Sequence, residues 1–214
     1  MARLVARKRF TSKKGDLPMV MALNTRTILS IFRDMKKLTY FQLGWGDEAV
    51  QLAEVLPLCT SAMVLGLNGN KISDRGAKAL AAAFAEGAMP KLETLWLANN
   101  QIGDEGAVAL AEAVGKGALP KLEQLWLTGN QIGDEGAKAL AEAVGKGAMP
   151  ELKELWLRDN QIGDEGAVAL AEAVGKGALP KLDELYLFNN KLSQTAKDAW
   201  EAAEAKRSGL HVGL

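Results

Sequence analysis

The chain has 214 residues, 48% of them hydrophobic and 24% charged, a globular composition that excludes a disordered or fibrous chain. Lys plus Arg and Asp plus Glu number 26 each, so no global field directs the chain to nucleic acid, and no apolar run approaches the roughly 20 residues of a bilayer span. A single cysteine (Cys59) and a single histidine (His211) exclude an internal disulfide and leave no material for a cysteine zinc cluster or a histidine-dependent triad.

Charge is unevenly placed from the start. Residues 1 to 40 hold ten basic and two acidic residues, a net of +8, which leaves −8 on the remainder. The opening MARLVARKRFTSKKGD has no acid before Asp16. That suits an organelle import leader or a basic arm that docks on an acidic surface, and it lacks the apolar core of a secretory signal. The next segment, NTRTILSIFRDMKKL from Asn24, is expected as an amphipathic helix with Ile28, Ile31, Phe32 and Met35 on one face. It would cover the open edge of the first strand. Residues 1–37 are therefore read as a basic arm with a capping helix.

A repeat of 30 residues follows. Nearly identical copies start at Leu95, Leu125 and Leu155, with weaker copies at Leu65 and Leu185 and a shortened one, LTYFQLGWGDEAVQLAEVL, from Leu38. This period predicts a solenoid whose units bury their apolar faces only against each other. In one unit, Leu92, Leu95 and Leu97 belong to a short strand, Asn100 to the turn, and Ile102 points back inward. Asp104 is expected as a helix N-cap, with Ala107, Leu110, Ala113 and Val114 on the buried face of a full-length helix. Gly115 and Gly117 end the helix, and Pro120 stiffens the return. An irregular first strand is expected near Phe41. The run from Gln101 to Leu119 recurs unchanged from Gln161, the mark of recent duplication or consensus design. Residues 38–192 are the repeats. Residues 193–214 are read as a C-terminal cap, with a helix from Gln194, Trp200 as filler, and a last short strand in LHVGL.

The pattern LxxLxLxxNxIxDxGxxxLAxA, carried by Leu92, Leu95, Leu97, Asn100, Ile102, Gly106 and Leu110, resembles the leucine-rich repeat, in its ribonuclease-inhibitor-like subclass. The resemblance implies an α/β right-handed horseshoe with a parallel sheet on the concave face and helices outside. It also implies that Asn70, Asn100, Asn130, Asn160 and Asn190 bond buried backbone groups, a structural role.

The concave face carries the functional expectation. Trp96, Trp126, Trp156 and Tyr186 fall at one outward strand position, flanked by Thr94, Ala98, Gln124, Thr128, Glu154, Arg158, Glu184 and Phe188. Exposed Trp and Tyr in a row suit a protein partner, since these residues are enriched in binding hot spots. The competing reading is a stacking spine that stiffens the sheet. Because Trp126 faces away from the leucine core, its truncation is expected to leave folding intact. The GDEG stretches lack the ligand spacing of a calcium loop, so no metal or cofactor is expected. No catalytic residue is assigned, and the chain is read as non-enzymatic: an interaction module or scaffold subunit, placed inside the cell and by preference in the cytoplasm, with organelle import left open. The alternative implied by the resemblance is a regulator of an enzyme, either an inhibitor-type protein acting on a nuclease or a GTPase-activating protein, with Arg75 as the loop arginine in the second case.

Overall fold

The computed structural model describes residues 32–46 and 48–214. The basic segment through Ile31, with the import and docking readings attached to it, lies outside the described residues, as does most of the expected capping helix. Of that helix, residues 32–34 are helical and Phe32 is buried.

Seven three-residue strands alternate with helices: β1 (Lys37–Thr39), α1 (Glu48–Val55) with a short 3-10 turn (Leu56–Leu58), β2 (Val64–Gly66), α2 (Asp74–Ala85), β3 (Thr94–Trp96), α3 (Asp104–Gly115), β4 (Gln124–Trp126), α4 (Asp134–Gly145), β5 (Glu154–Trp156), α5 (Asp164–Gly175), β6 (Glu184–Tyr186), α6 (Gln194–Glu204) and β7 (His211–Gly213). The strands form one open parallel sheet in chain order. Parallel strands joined through helices give a right-handed solenoid. A helix is about 10 Å wide and a strand pair about 4.8 Å, so the helical side must spread and the sheet becomes the inner face.

The central leucine of each strand sets the register, Leu38 against Leu65, then Leu95, Leu125, Leu155, Leu185 and Val212. All are buried, with Leu97, Ile102, Ala107 and Leu110 and their counterparts behind them. The first strand is Lys37–Thr39 and not the stretch near Phe41. Leu38 takes the buried central place, and Phe41, two residues past the strand, is 43% exposed. At the far end Trp200 stands one period beyond Leu170 and is fully buried.

Two side-chain ladders stitch the units. Asn100 donates from Nδ2 to the carbonyls of Leu97 (2.9 Å) and Leu67 (3.0 Å), and its Oδ1 accepts from Ile72 N–H at 3.1 Å. Asn130 and Asn160 repeat the pattern. The second ladder differs from the sequence expectation. Asp104 does not cap its own helix: the N-cap is Gly103, with no side-chain bond there. Its carboxylate instead accepts from Gly133 N–H (2.7 Å) and Gly136 N–H (2.8 Å), the unsatisfied amides at the start of the next helix. Asp74 and Asp134 do the same one unit back and one unit on. The helices approach so closely there that a Cβ on Gly136 would lie 2.8 Å from Ala107 Cβ. The four return loops between α2 and β6 each hold a buried non-glycine residue in the left-handed region, Leu119 for example at φ 55°, where core burial offsets the backbone cost.

Candidate functional site

The outward position that closes each strand forms one row across the sheet: Thr39, Gly66, Trp96, Trp126, Trp156, Tyr186, Gly213. Strand spacing brings successive rings to stacking distance. Trp96 and Trp126 stack at 5.0 Å and 26°, and Trp126 and Trp156 at 4.1 Å and 5°. Tyr186 meets Trp156 edge-on at 5.5 Å, and Phe188 meets Tyr186 edge-on at 6.1 Å. Glycine bounds the aromatic part of the row on both sides for a steric reason. A Cβ on Gly66 would stand 2.6 Å from the Phe41 ring, which folds over that place and reaches Trp96 at 6.0 Å. A Cβ on Gly213 would stand 2.6 Å from the Tyr186 ring. The three indoles are half-buried.

On one flank lies the first position of each strand: Lys37, Val64, Thr94, Gln124, Glu154, Glu184, His211. Thr94 donates to Gln124 (3.3 Å) and Gln124 to Glu154 (2.7 Å), while Trp126 Nε1 donates to the other Glu154 oxygen at 3.3 Å. Tyr186 donates its hydroxyl to Glu184 at 3.3 Å. Partial desolvation raises the Tyr186 pKa above its ordinary value, with the charge of Glu184 adding to it. On the other flank, two residues past the strands, lie Phe41, Ala98, Thr128, Arg158 and Phe188. The Arg158 guanidinium sits 5.2 Å from the Phe188 ring centre, and its Nε is 3.7 Å from the Asp159 carboxylate, too far for a hydrogen bond. Thr128 Oγ1 and the indole N–H groups of Trp96 and Trp156 are buried and find no partner among the described residues.

The structure thus brings Trp96, Trp126, Trp156, Tyr186, Gln124, Glu154, Arg158 and Phe188 onto one face. Arg75 lies elsewhere, exposed at the start of α2. Cys59 is buried, and desolvation pushes its thiol up to about 11, so it stays protonated at neutral pH. Phe41, Lys37, Thr94, Thr128 and Glu184 also belong to the face. The strand spacing predicts Thr94, Thr128 and Glu184 there; it does not predict Lys37 and Phe41, since they belong to the shortened first unit.

Residues 90–137 match a family model of leucine-rich repeats in two copies, and residues 63–81 and 149–171 match a second leucine-rich-repeat model. The units within these matched residues are leucine-rich repeats. Over 89% of its length the chain is similar to an internalin from Listeria monocytogenes str. 4b F2365, at 20% identity and a TM-score of 0.48, and it spans 50% of that protein. It is also similar to a pollen receptor kinase 3 (19% identity, TM-score 0.46, 83% of this chain and 71% of that one). A TDR receptor matches more loosely, at 18% identity and a TM-score of 0.38, over 67% of this chain and 24% of that one. No curated protein matches. Among the described residues no helix is long and apolar enough to cross a membrane.

Proposed function

We propose that the chain is a non-enzymatic protein-interaction module of the ribonuclease-inhibitor-like subclass, holding a protein partner on its inner aromatic face, alone or as a scaffold subunit. The subclass reading is supported by the helix of 12 residues in each of the central units.

One observation carries the functional reading. Aligned over residues 91–180, the three central units all differ from one another at only three columns: Thr94, Gln124 and Glu154; Ala98, Thr128 and Arg158; Asn99, Gly129 and Asp159. All three columns flank the tryptophan row. Exposure does not account for this, because the exposed helix columns Glu105, Glu135 and Glu165, or Glu112, Glu142 and Glu172, are invariant. Nor does a looser core, because Thr94, Ala98 and Thr128 are buried and still differ. Elsewhere at least two of the three units agree, and three-way divergence at the rim of a constant aromatic row is what graded contact with one extended partner surface requires.

The test compares partner capture by the intact chain, by Trp126→Ala with Trp156→Ala, and by Val108→Lys on the outer face, each normalised to folded protein. Partners lost only from the tryptophan variant support the reading. Equal capture by all three contradicts it.

A further inference from the structure

Along the inner face the first strand position runs from Val64 through Thr94 and Gln124 to Glu154 and Glu184. The last two carboxylates are register partners on neighbouring strands, and like charges placed so repel. Among the described residues neither has an ion-pair partner. The nearby lysines are engaged elsewhere, Lys153 with Glu123 and Lys181 with Glu151.

The same face shows what it accepts where charge is provided. Lys37 places its ammonium 5.2 Å from the centre of the Trp96 ring at one end, and Arg158 places its guanidinium 5.2 Å from Phe188 near the other. Each aromatic end of the stripe thus holds a cation of the chain itself. Among the described residues no cation lies over the Trp156 or Tyr186 ring, and Glu154 and Glu184 beside them accept hydrogen bonds from neutral donors alone.

Resting on the reading of this face as a partner surface, we infer that the protein partner contributes a lysine or arginine side chain that lies against Trp156 and Tyr186 and pairs with Glu154 and Glu184. The partner is therefore a protein with an exposed basic segment, and it docks with that segment on the last three repeats. A cation there removes the repulsion between the two carboxylates and gains the attraction of the ring faces.

The full 214-residue chain is titrated at low ionic strength with dye-labelled tetra-arginine and with tetra-citrulline, a neutral peptide of the same shape. Tetra-arginine is expected to bind at least about tenfold more tightly, and Glu154→Gln with Glu184→Gln to abolish most of that advantage. The same charge change on the outer face, Glu112→Gln with Glu172→Gln, is expected to leave it intact. Equal loss from both pairs, no loss from the inner pair, or no binding of tetra-arginine overturns the inference. Trp126→Ala with Trp156→Ala separates the two levels: loss there without loss in the inner glutamine pair removes the cation and keeps the aromatic face, and loss in neither removes both. Neutralising Arg7, Lys8, Arg9, Lys13 and Lys14 to Gln is expected to change nothing. A several-fold gain in affinity would instead put this chain's own basic segment on the face and overturn the assignment to a partner.

Discussion

Trp126 lies between two rings, Trp96 at 5.0 Å and Trp156 at 4.1 Å, and donates its indole N–H to Glu154. The sequence expectation that its truncation leaves folding intact follows from its facing away from the leucines, and the geometry modifies that expectation. Trp126→Ala removes two aromatic contacts worth about 0.5–1.5 kcal/mol each, so it lowers the thermal midpoint by several degrees without unfolding the array. A spine and an interface are not exclusive, because stacked rings present pre-ordered edges to a partner at little further entropic cost. Binding per folded molecule, measured beside thermal melting, separates the two contributions. Asn130→Ala acts differently. It leaves the N–H of Ile102 without its partner and takes one of two donors from the carbonyls of Leu97 and Leu127, which keep Asn100 and Asn160, at a cost of about 1–3 kcal/mol; it meets the inner face through the Thr128 carbonyl, at 3.4 Å. Circular dichroism is expected to show a lower midpoint, and an unchanged one would deny the ladder its structural role.

Among elements, the helix N-termini are the joints of the array. From α3 onward each receives its capping carboxylate from the unit before it, so capping and inter-unit docking are one interaction. Asp104→Ala is expected to destabilise by about 1 kcal/mol, and Asp104→Asn by less, since the amide oxygen still accepts from Gly133 and Gly136. Chemical denaturation of the two variants tests the order. Gly136→Ala forces a methyl against Ala107 and Asp104 and should destabilise more than the Ala-for-Gly exchange in an open helix position. At the last joint, Asp164 accepts from the hydroxyl and the amide of Ser193, the hydroxyl first, which holds its pKa below the ordinary carboxylate value of about 3.9. A lowered folded-state pKa stabilises above that ordinary value and stops doing so as pH falls through the folded one. Protection of the α6 amides, taken relative to their intrinsic exchange rate at each pH, should therefore weaken once the pH drops below about 4, and Ser193→Ala should make that pH dependence smaller.

For the molecule as a whole, the fold was legible because the core is written in one period. Leucine rows thirty residues apart fix strand register and helix length together, and the closing strand at His211–Gly213 falls within the stretch LHVGL. What could not be read has physical causes. Asp104 opens a helix, and no spacing rule reveals that the amides it meets belong to a helix thirty residues later. The first strand lies before Phe41 because the shortened unit pairs at an offset of 27 residues, Leu38 with Leu65, and lacks the turn residues that mark the place elsewhere. The alignment of Trp96, Trp126 and Trp156 was legible from the period. Their parallel stacking, the Phe41 ring over Gly66 and the reach of Lys37 to Trp96 were not, since these depend on side-chain torsions and on glycine gaps.

The central claim is that the residues flanking the tryptophan row determine which protein is bound. It is tested most directly by giving the third central unit the inner face of the second: Glu154→Gln, Arg158→Thr and Asp159→Gly together. Each new residue already occupies the equivalent place one period earlier, as Gln124, Thr128 and Gly129, so the variant should melt at the wild-type temperature. Its affinity for the partner, measured by titration at matched folded concentration, is predicted to fall about tenfold or more. An unchanged affinity in a fully folded variant would contradict the account.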